Sequence, residues 1–262
     1  MSKSLLPGFD RPHAADDELP RMGLLDHLEE LRRRIVFSLL AFVVAFLLCW
    51  TFSSEIFNFL QQPILPYLGG RKLVFLGVTD PFLIYVKVAA LAGTFLASPV
   101  ILFQIWRFVS PGLYRHERHL AAPFIFFGSL LFVAGGAFAY YVAFPFAVAF
   151  LLGLGEQFEA TVTVDRYLGF LMTVMLGLGL MFELPTLIFF FARLGLVTPR
   201  FLMRNFRWAV LIIFTAAAII TPTPDVVNLC IFALPTVGLY LIGVAVAALF
   251  GTPKRKPEAE EG

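Results

Sequence analysis

Three carboxylates stand where their neighbours should not favour them. Glu30 lies in "DHLEELRRRIVF" (Asp26–Phe37), Glu117 in "SPVILFQIWRFVSPGLYRHERHL" (Ser98–Leu120), and Glu183 in "MLGLGLMFELPTLIFFF" (Met175–Phe191). A carboxylate beside an apolar surface is suited to hold a cation. The planar guanidinium fork suits it best, because it can make two parallel hydrogen bonds where an ammonium acts as a point charge. An acid inside an apolar run can also carry protons or ions. Other chemistry lacks its residues. No nucleophile triad, phosphate loop or dinucleotide fingerprint is present. His13, His27, His116 and His119 share no metal-ligand spacing. Cys49 and Cys230 lie in apolar runs without redox or metal spacing, and read as small buried hydrophobes. The expectation is a non-enzyme with no cofactor, no metal and no nucleic-acid partner.

The elements that position these acids follow from composition. Of 262 residues, 59% are hydrophobic and only 15% charged. Soluble domains are about 45–50% apolar, so this chain has too little polar surface to cover a globule and is read as an all-α integral membrane protein. Six apolar segments are expected to span: Ile35–Phe52, Pro81–Ile105, Ala121–Phe146, Tyr167–Ala192, Trp208–Ile220 and Leu229–Phe250. The fifth and sixth read as short, divided by "TPTPDVVN". Pro99, Pro123, Gly135, Gly136, Pro185 and Pro235 predict kinks and close helix contacts rather than a straight bundle. Sixteen Lys and Arg fall on the side of the N-terminus and three on the other, with Lys87 inside the second segment. That asymmetry puts both termini in the cytoplasm. Residues 1–21 and 251–262 read as polar extensions of a single membrane domain spanning 22–250.

Asp26, Glu30 and Arg34 are spaced four apart, so they share a helix face and can pair. Arg32-Arg33 before an apolar run looks superficially like an export signal, but the charge split and the lack of a cleavage site speak against one. Trp106, Phe108 and Tyr114 suit an interfacial position, and Ser110-Pro111-Gly112 should break the second helix. Glu183 would cost roughly 2.5–3.5 kcal/mol at a helix centre in the bilayer, so it should face protein or a wet cavity. Lys87 is the candidate intramembrane partner. An ion- or proton-coupled solute transporter using Glu183 and Lys87, and a scaffold that only organises other membrane proteins, are the rival functions.

"HLEELRRRI", "SPVILFQIWRFVSPGLYRHER", "FAYYVAFP", "FELP" and "TPTPDVV" occur in this order. Over about residues 22–250 the chain resembles the TatC family, the core receptor subunits of the twin-arginine protein translocase. The resemblance implies a cupped, glove-like bundle of six transmembrane helices. It implies a receptor in the cytoplasmic membrane that binds the signal peptides of folded cargo, self-associates and works with TatA and TatB, transport drawing on the proton-motive force. Glu30 and Glu117 match the acids that meet the twin arginines, with Phe108 and Arg32 beside them. Glu183 matches the polar residue of the concave face. Thr221, Asp225 and Asn228 are expected at the TatA/TatB docking edge. Leu229 stands where the family often has Gln, so the resemblance implies a polar cluster shifted towards Asn228.

Overall fold

The structure, a computed structural model, describes residues 24–109, 121–155, 157–158, 161–221 and 225–250; the expected extensions 1–21 and 251–262, and Glu117, lie outside these residues. Helix α1 (Leu24–Thr51) runs unbroken from the charged "HLEELRRR" turn into the first apolar run. A short α2 (Ser53–Leu60) and a tight turn at Leu65–Tyr67 then lie across one end of the bundle. Helix α3 (Asp80–Val109) returns. The end at which α1 begins and α3 finishes is called proximal below, and the opposite end distal.

Helix α4 (Ala121–Phe138) passes through a wider turn at Ala139–Ala143 into α5 (Phe144–Leu154). That bulge places Tyr140 so that its hydroxyl donates to Phe59 O at 2.6 Å, while Tyr167 donates to Leu60 O at 2.7 Å. The two tyrosines bind the last carbonyls of α2, Phe59 O also accepting from Gln62 N at 3.1 Å. The motif "FAYYVAFP" therefore anchors the distal cap.

The fourth run is two helices, α6 (Val164–Phe182) and α7 (Leu184–Arg193), interrupted at Glu183. Pro185 has no N–H, so the ladder cannot continue through it. The Glu183 N–H turns tightly to Leu180 O at 3.1 Å, and Leu187 N–H resumes the helix on Glu183 O at 2.9 Å. After α8 (Pro199–Arg204) comes α9 (Phe206–Ile220), then α10 (Val226–Phe250).

Among the described residues, five helical stretches are long and apolar enough to cross a membrane: His27–Thr51, Asp80–Phe108, Ala122–Leu154, Val164–Arg193 and Val226–Phe250. Helix α9 has 15 residues, roughly 22 Å at 1.5 Å per residue, short of a hydrocarbon core about 30 Å thick. The expectation of a short sixth segment is overturned, because α10 has 25 residues. Asp225 caps it, its Oδ1 accepting from Asn228 N at 2.7 Å, so the "VVN" read as linker is the first turn of the helix.

Helix α6 carries the core. Leu168, Leu171, Val174 and Leu178 recur at helical spacing and are fully buried. Its neighbour α4 approaches through glycine: a Cβ on Gly135 would sit 2.7 Å from Leu178 O and 2.8 Å from Gly179 Cα. Gly93 lets α3 meet α1, since a Cβ there would lie 3.0 Å from the Phe46 backbone. Small residues allow such approach where lipid supplies no hydrophobic drive. Helix α1, in contrast, leaves Val36, Leu39, Leu40, Leu47 and Leu48 exposed, as a helix facing hydrocarbon would.

Candidate functional site at the proximal end

Within the first turns of α1, Arg32 and Arg33 are exposed, while Glu30 and Arg34 turn inward with side chains 14% and 13% exposed. The i,i+4 spacing closes the pair: Arg34 Nη2 donates to Glu30 Oε1 at 2.7 Å. The same face meets the end of α3, where the His27 and Phe108 rings stack with centroids 4.5 Å apart. Between the helices is an open groove of about 380 Å³ lined by Leu31, Arg34, Ile35, Ser38 and Leu39 from α1 and by Gln104, Ile105 and Phe108 from α3, a mainly apolar surface. Arg34 Nε and Gln104 Oε1 of its walls, and Glu30 Oε2 beside Arg34, are buried and find no hydrogen-bond partner among the described residues. Lone polar atoms in a protein interior each cost about 1–3 kcal/mol, so the cavity is chemically suited to a ligand carrying donors.

Glu30, Arg32 and Phe108 thus come to one end, as expected, and Glu117 falls outside the described residues. Trp106 departs from its expected interfacial place. It is buried and packs on Phe124 and Phe190 at 5.1 and 5.4 Å, a post joining α3, α4 and α7. Gln104 was not singled out in the sequence, although an amide near the end of an apolar run carries the same signal as an acid there.

Glu183 occupies a different setting. It is 6% exposed at the α6–α7 break. Its carboxyl packs where Gly128 of α4 has no side chain, since a Cβ there would lie 3.2 Å from Oε2. Oε1 has no hydrogen-bond partner among the described residues, and the same holds for Thr186 Oγ1 one turn on. Thr186 and Pro185 form part of the wall of an apolar groove of about 520 Å³ between α4, α7 and α10. The expected Glu183–Lys87 contact is not formed. Lys87 is 40% exposed near the distal end of α3 and pairs with Asp165 at the start of α6, at 2.5 Å. It is not a buried intramembrane cation, and the coupled acid–lysine pair on which the transporter reading rested is absent.

At the distal end Thr221 Oγ1 donates to Ala217 O at 2.6 Å and Asn228 Nδ2 donates to Asp225 Oδ2 at 2.9 Å. Thr221 and Asn228 are buried, so they cap and brace α9 and α10 from within. Ile219, Val226 and Val227 present the outer surface beside them.

The helices define a multi-pass helical membrane protein with an open cleft between α1 and α3 at its proximal end, without a catalytic constellation in its sequence. The family model for TatC, the Sec-independent protein translocase protein, matches residues 26–235. The Sec-independent protein translocase protein TatC of Koribacter versatilis (strain Ellin345) is 42% identical, the match covering 96% of each chain. That of Helicobacter pylori (strain J99 / ATCC 700824) is 40% identical over 86% of this chain and 89% of the relative. Among solved structures, a crystal structure of the twin-arginine translocase receptor TatC superposes with a TM-score of 0.73 at 36% identity, covering 84% of this chain and 97% of that one. The same receptor in DDM superposes with a TM-score of 0.75 at 34% identity. The chain belongs to the TatC family of protein translocase subunits. Membership sets aside the solute-transporter alternative and agrees with the reading as a non-enzyme.

Proposed function

We propose that this chain is the signal-peptide receptor of a twin-arginine translocase, with the proximal end in the cytoplasm. The groove between α1 and α3, with the Glu30–Arg34 pair at its side, is the single observation that best supports this. A largely covered carboxylate, an aromatic ring and lone acceptors on a mainly apolar surface suit a guanidinium followed by an apolar segment. Glu30 takes one arginine of the pair. Glu117, in the segment that follows α3, takes the other, with Phe108 and Arg32 shaping the entrance. The sixteen-to-three charge split supports both termini facing the cytoplasm in the bacterial inner membrane, with α9 as a short fifth crossing of six. The groove beside Glu183 belongs to the concave face of the bundle, and Glu183 is the polar post behind its wall.

TatA and TatB helices dock along α9 and the start of α10. Buried Thr221 and Asn228, with Asp225, set the shape of that edge, and Ile219, Val226 and Val227 supply its contact surface. Self-association completes the receptor complex, and cargo transport draws on the proton-motive force. The test is binding of a fluorescent twin-arginine peptide to the full chain in nanodiscs, with a photo-reactive group beside the arginine pair. Binding with crosslinks to Phe108 is expected. Equal affinity for wild type, Glu30→Ala and Glu117→Ala would refute the assignment.

A further inference from the structure

The Glu30–Arg34 pair has an unusual balance. One nitrogen of Arg34 meets one oxygen of Glu30, at 2.7 Å. Arg34 Nε and Glu30 Oε2, which a two-pronged fork would engage, are both buried and find no hydrogen-bond partner among the described residues. Four residues apart on one helix, the two side chains meet end-on here, and the flat edge of the guanidinium is not aligned with the carboxylate. Because Oε2 is buried, an outside cation reaches Glu30 only if its cover moves. Arg34 already holds the other oxygen, Oε1, and lines the groove between α1 and α3. Across the same cavity, Gln104 of α3 is 9% exposed, and its Oε1 finds no donor among the described residues.

We infer that Arg34 is a built-in competitor for the ligand arginine, resting on Glu30 in the free receptor and swinging across the cavity to Gln104 Oε1 when an external guanidinium binds. This rests on the receptor reading above and adds a threshold to it. An entering ligand must replace an arginine that is already there. A free arginine can do so because it approaches edge-on and can make two parallel bonds where Arg34 makes one. The acceptor on α3 gives the displaced guanidinium a hydrogen bond but no counter-charge, so the loss of its carboxylate adds to the threshold a ligand must overcome. The cost of displacement is the same for every ligand, so it sets how strong a ligand must be and does not alter the ranking of ligands.

The experiment measures equilibrium binding of two synthetic peptides to the full chain in nanodiscs, one with an Arg-Arg pair before an apolar run and one with Lys-Lys. Arg34→Ala should tighten both by the same factor, roughly five- to tenfold, the equivalent of a partly buried ion pair of about 1 kcal/mol or slightly more. Arg34→Gln, which retains length and polarity, should do the same and guards against misfolding of the alanine variant. In a Glu30→Gln background the gain should vanish. Arg33→Ala removes the same charge from an exposed arginine, and should change affinity less than twofold. Gln104→Leu should weaken binding in the wild type and leave the Arg34→Ala variant unchanged.

Weaker or equal binding by both Arg34 variants would overturn the inference, as would a gain that survives Glu30→Gln, since that is simple charge repulsion. A Gln104→Leu loss that persists without Arg34 would overturn it too, because Gln104 would then be touching the ligand. The receptor reading fails separately, through equal Arg-Arg binding by wild type and Glu30→Gln.

Discussion

Glu30 and Glu183 are both carboxylates at helix positions a bilayer disfavours, yet the fold treats them in opposite ways. Glu30 has a cation at 2.7 Å, a cavity beside it and a turn of exposed arginines next to it. Glu183 is enclosed at the α6–α7 break, with a glycine opposite it and its wall continuous with an apolar groove. The difference is one of access. A binding carboxylate must be reachable and must have a charge partner it can exchange, whereas an enclosed one is held by shape. Inspection of the sequence ranks Glu183 as the stranger residue, but burial and partners make Glu30 the better recognition group.

The sharpest way to break this comparison is to remove Glu30. Glu30→Ala should weaken binding of a twin-arginine peptide by about 2–4 kcal/mol, the range for deleting one partner of a desolvated charge pair. Glu183→Ala should leave that affinity within about twofold, because its carboxyl lies outside the cavity that holds the ligand. Fluorescence anisotropy on both variants side by side decides it. A larger loss for Glu183 would invert the assignment of roles.

Next in size is the packing that encloses Glu183. Gly135→Ala places a methyl group 2.7 Å from Leu178 O and 2.8 Å from Gly179 Cα, so α4 and α6 must separate. Overpacking of this kind costs about 1–3 kcal/mol, and a lower midpoint of thermal unfolding in detergent is the expected readout. Gly153→Ala is the control, since nothing lies within 4 Å of a Cβ there.

Smaller still is the effect of Glu183→Gln. The amide keeps the shape and removes the charge. Replacing an ionisable group that lacks a cationic partner among the described residues should be neutral, or stabilise by up to about 1 kcal/mol. Unfolding in detergent measures it. A loss of several kcal/mol would show that a negative charge at this site is required by the fold.

Much of this architecture is legible in the residues. Runs of apolar residues placed the long helices, Pro185 marked the break at Glu183, and the i,i+4 spacing of Glu30 and Arg34 foretold their pair. These are local signals, read within one or two turns. What escaped depends on contacts between distant segments. Tyr140 and Tyr167 are 81 and 107 residues from the carbonyls they hold, and no periodicity announces such a clamp. Trp106 looked like an interfacial anchor because its neighbours in sequence are aromatic and basic, but α4 and α7 bury it. The length of α10 was misjudged although its signal was local: an Asp before "VVN" is an ordinary N-cap, masked by the prolines preceding it.

Lys87 shows the same limit, and it sets the smallest expected effect. From sequence it was the only cation within an apolar run that could face Glu183. In the fold it is 78 residues from its partner Asp165, joining α3 to α6 at the distal end. The side chains are 40% and 55% exposed, so the short contact cannot be taken as strong. Exposed pairs contribute about 0.2–1 kcal/mol and weaken with salt. Lys87→Met should therefore lower detergent stability by no more than that, and the difference from wild type should shrink between low and high salt. Peptide binding at the proximal cavity should not change. Loss of peptide binding in Lys87→Met, with stability intact, would mean that the two ends of the bundle are coupled, and access to Glu30 would then depend on more than Arg34.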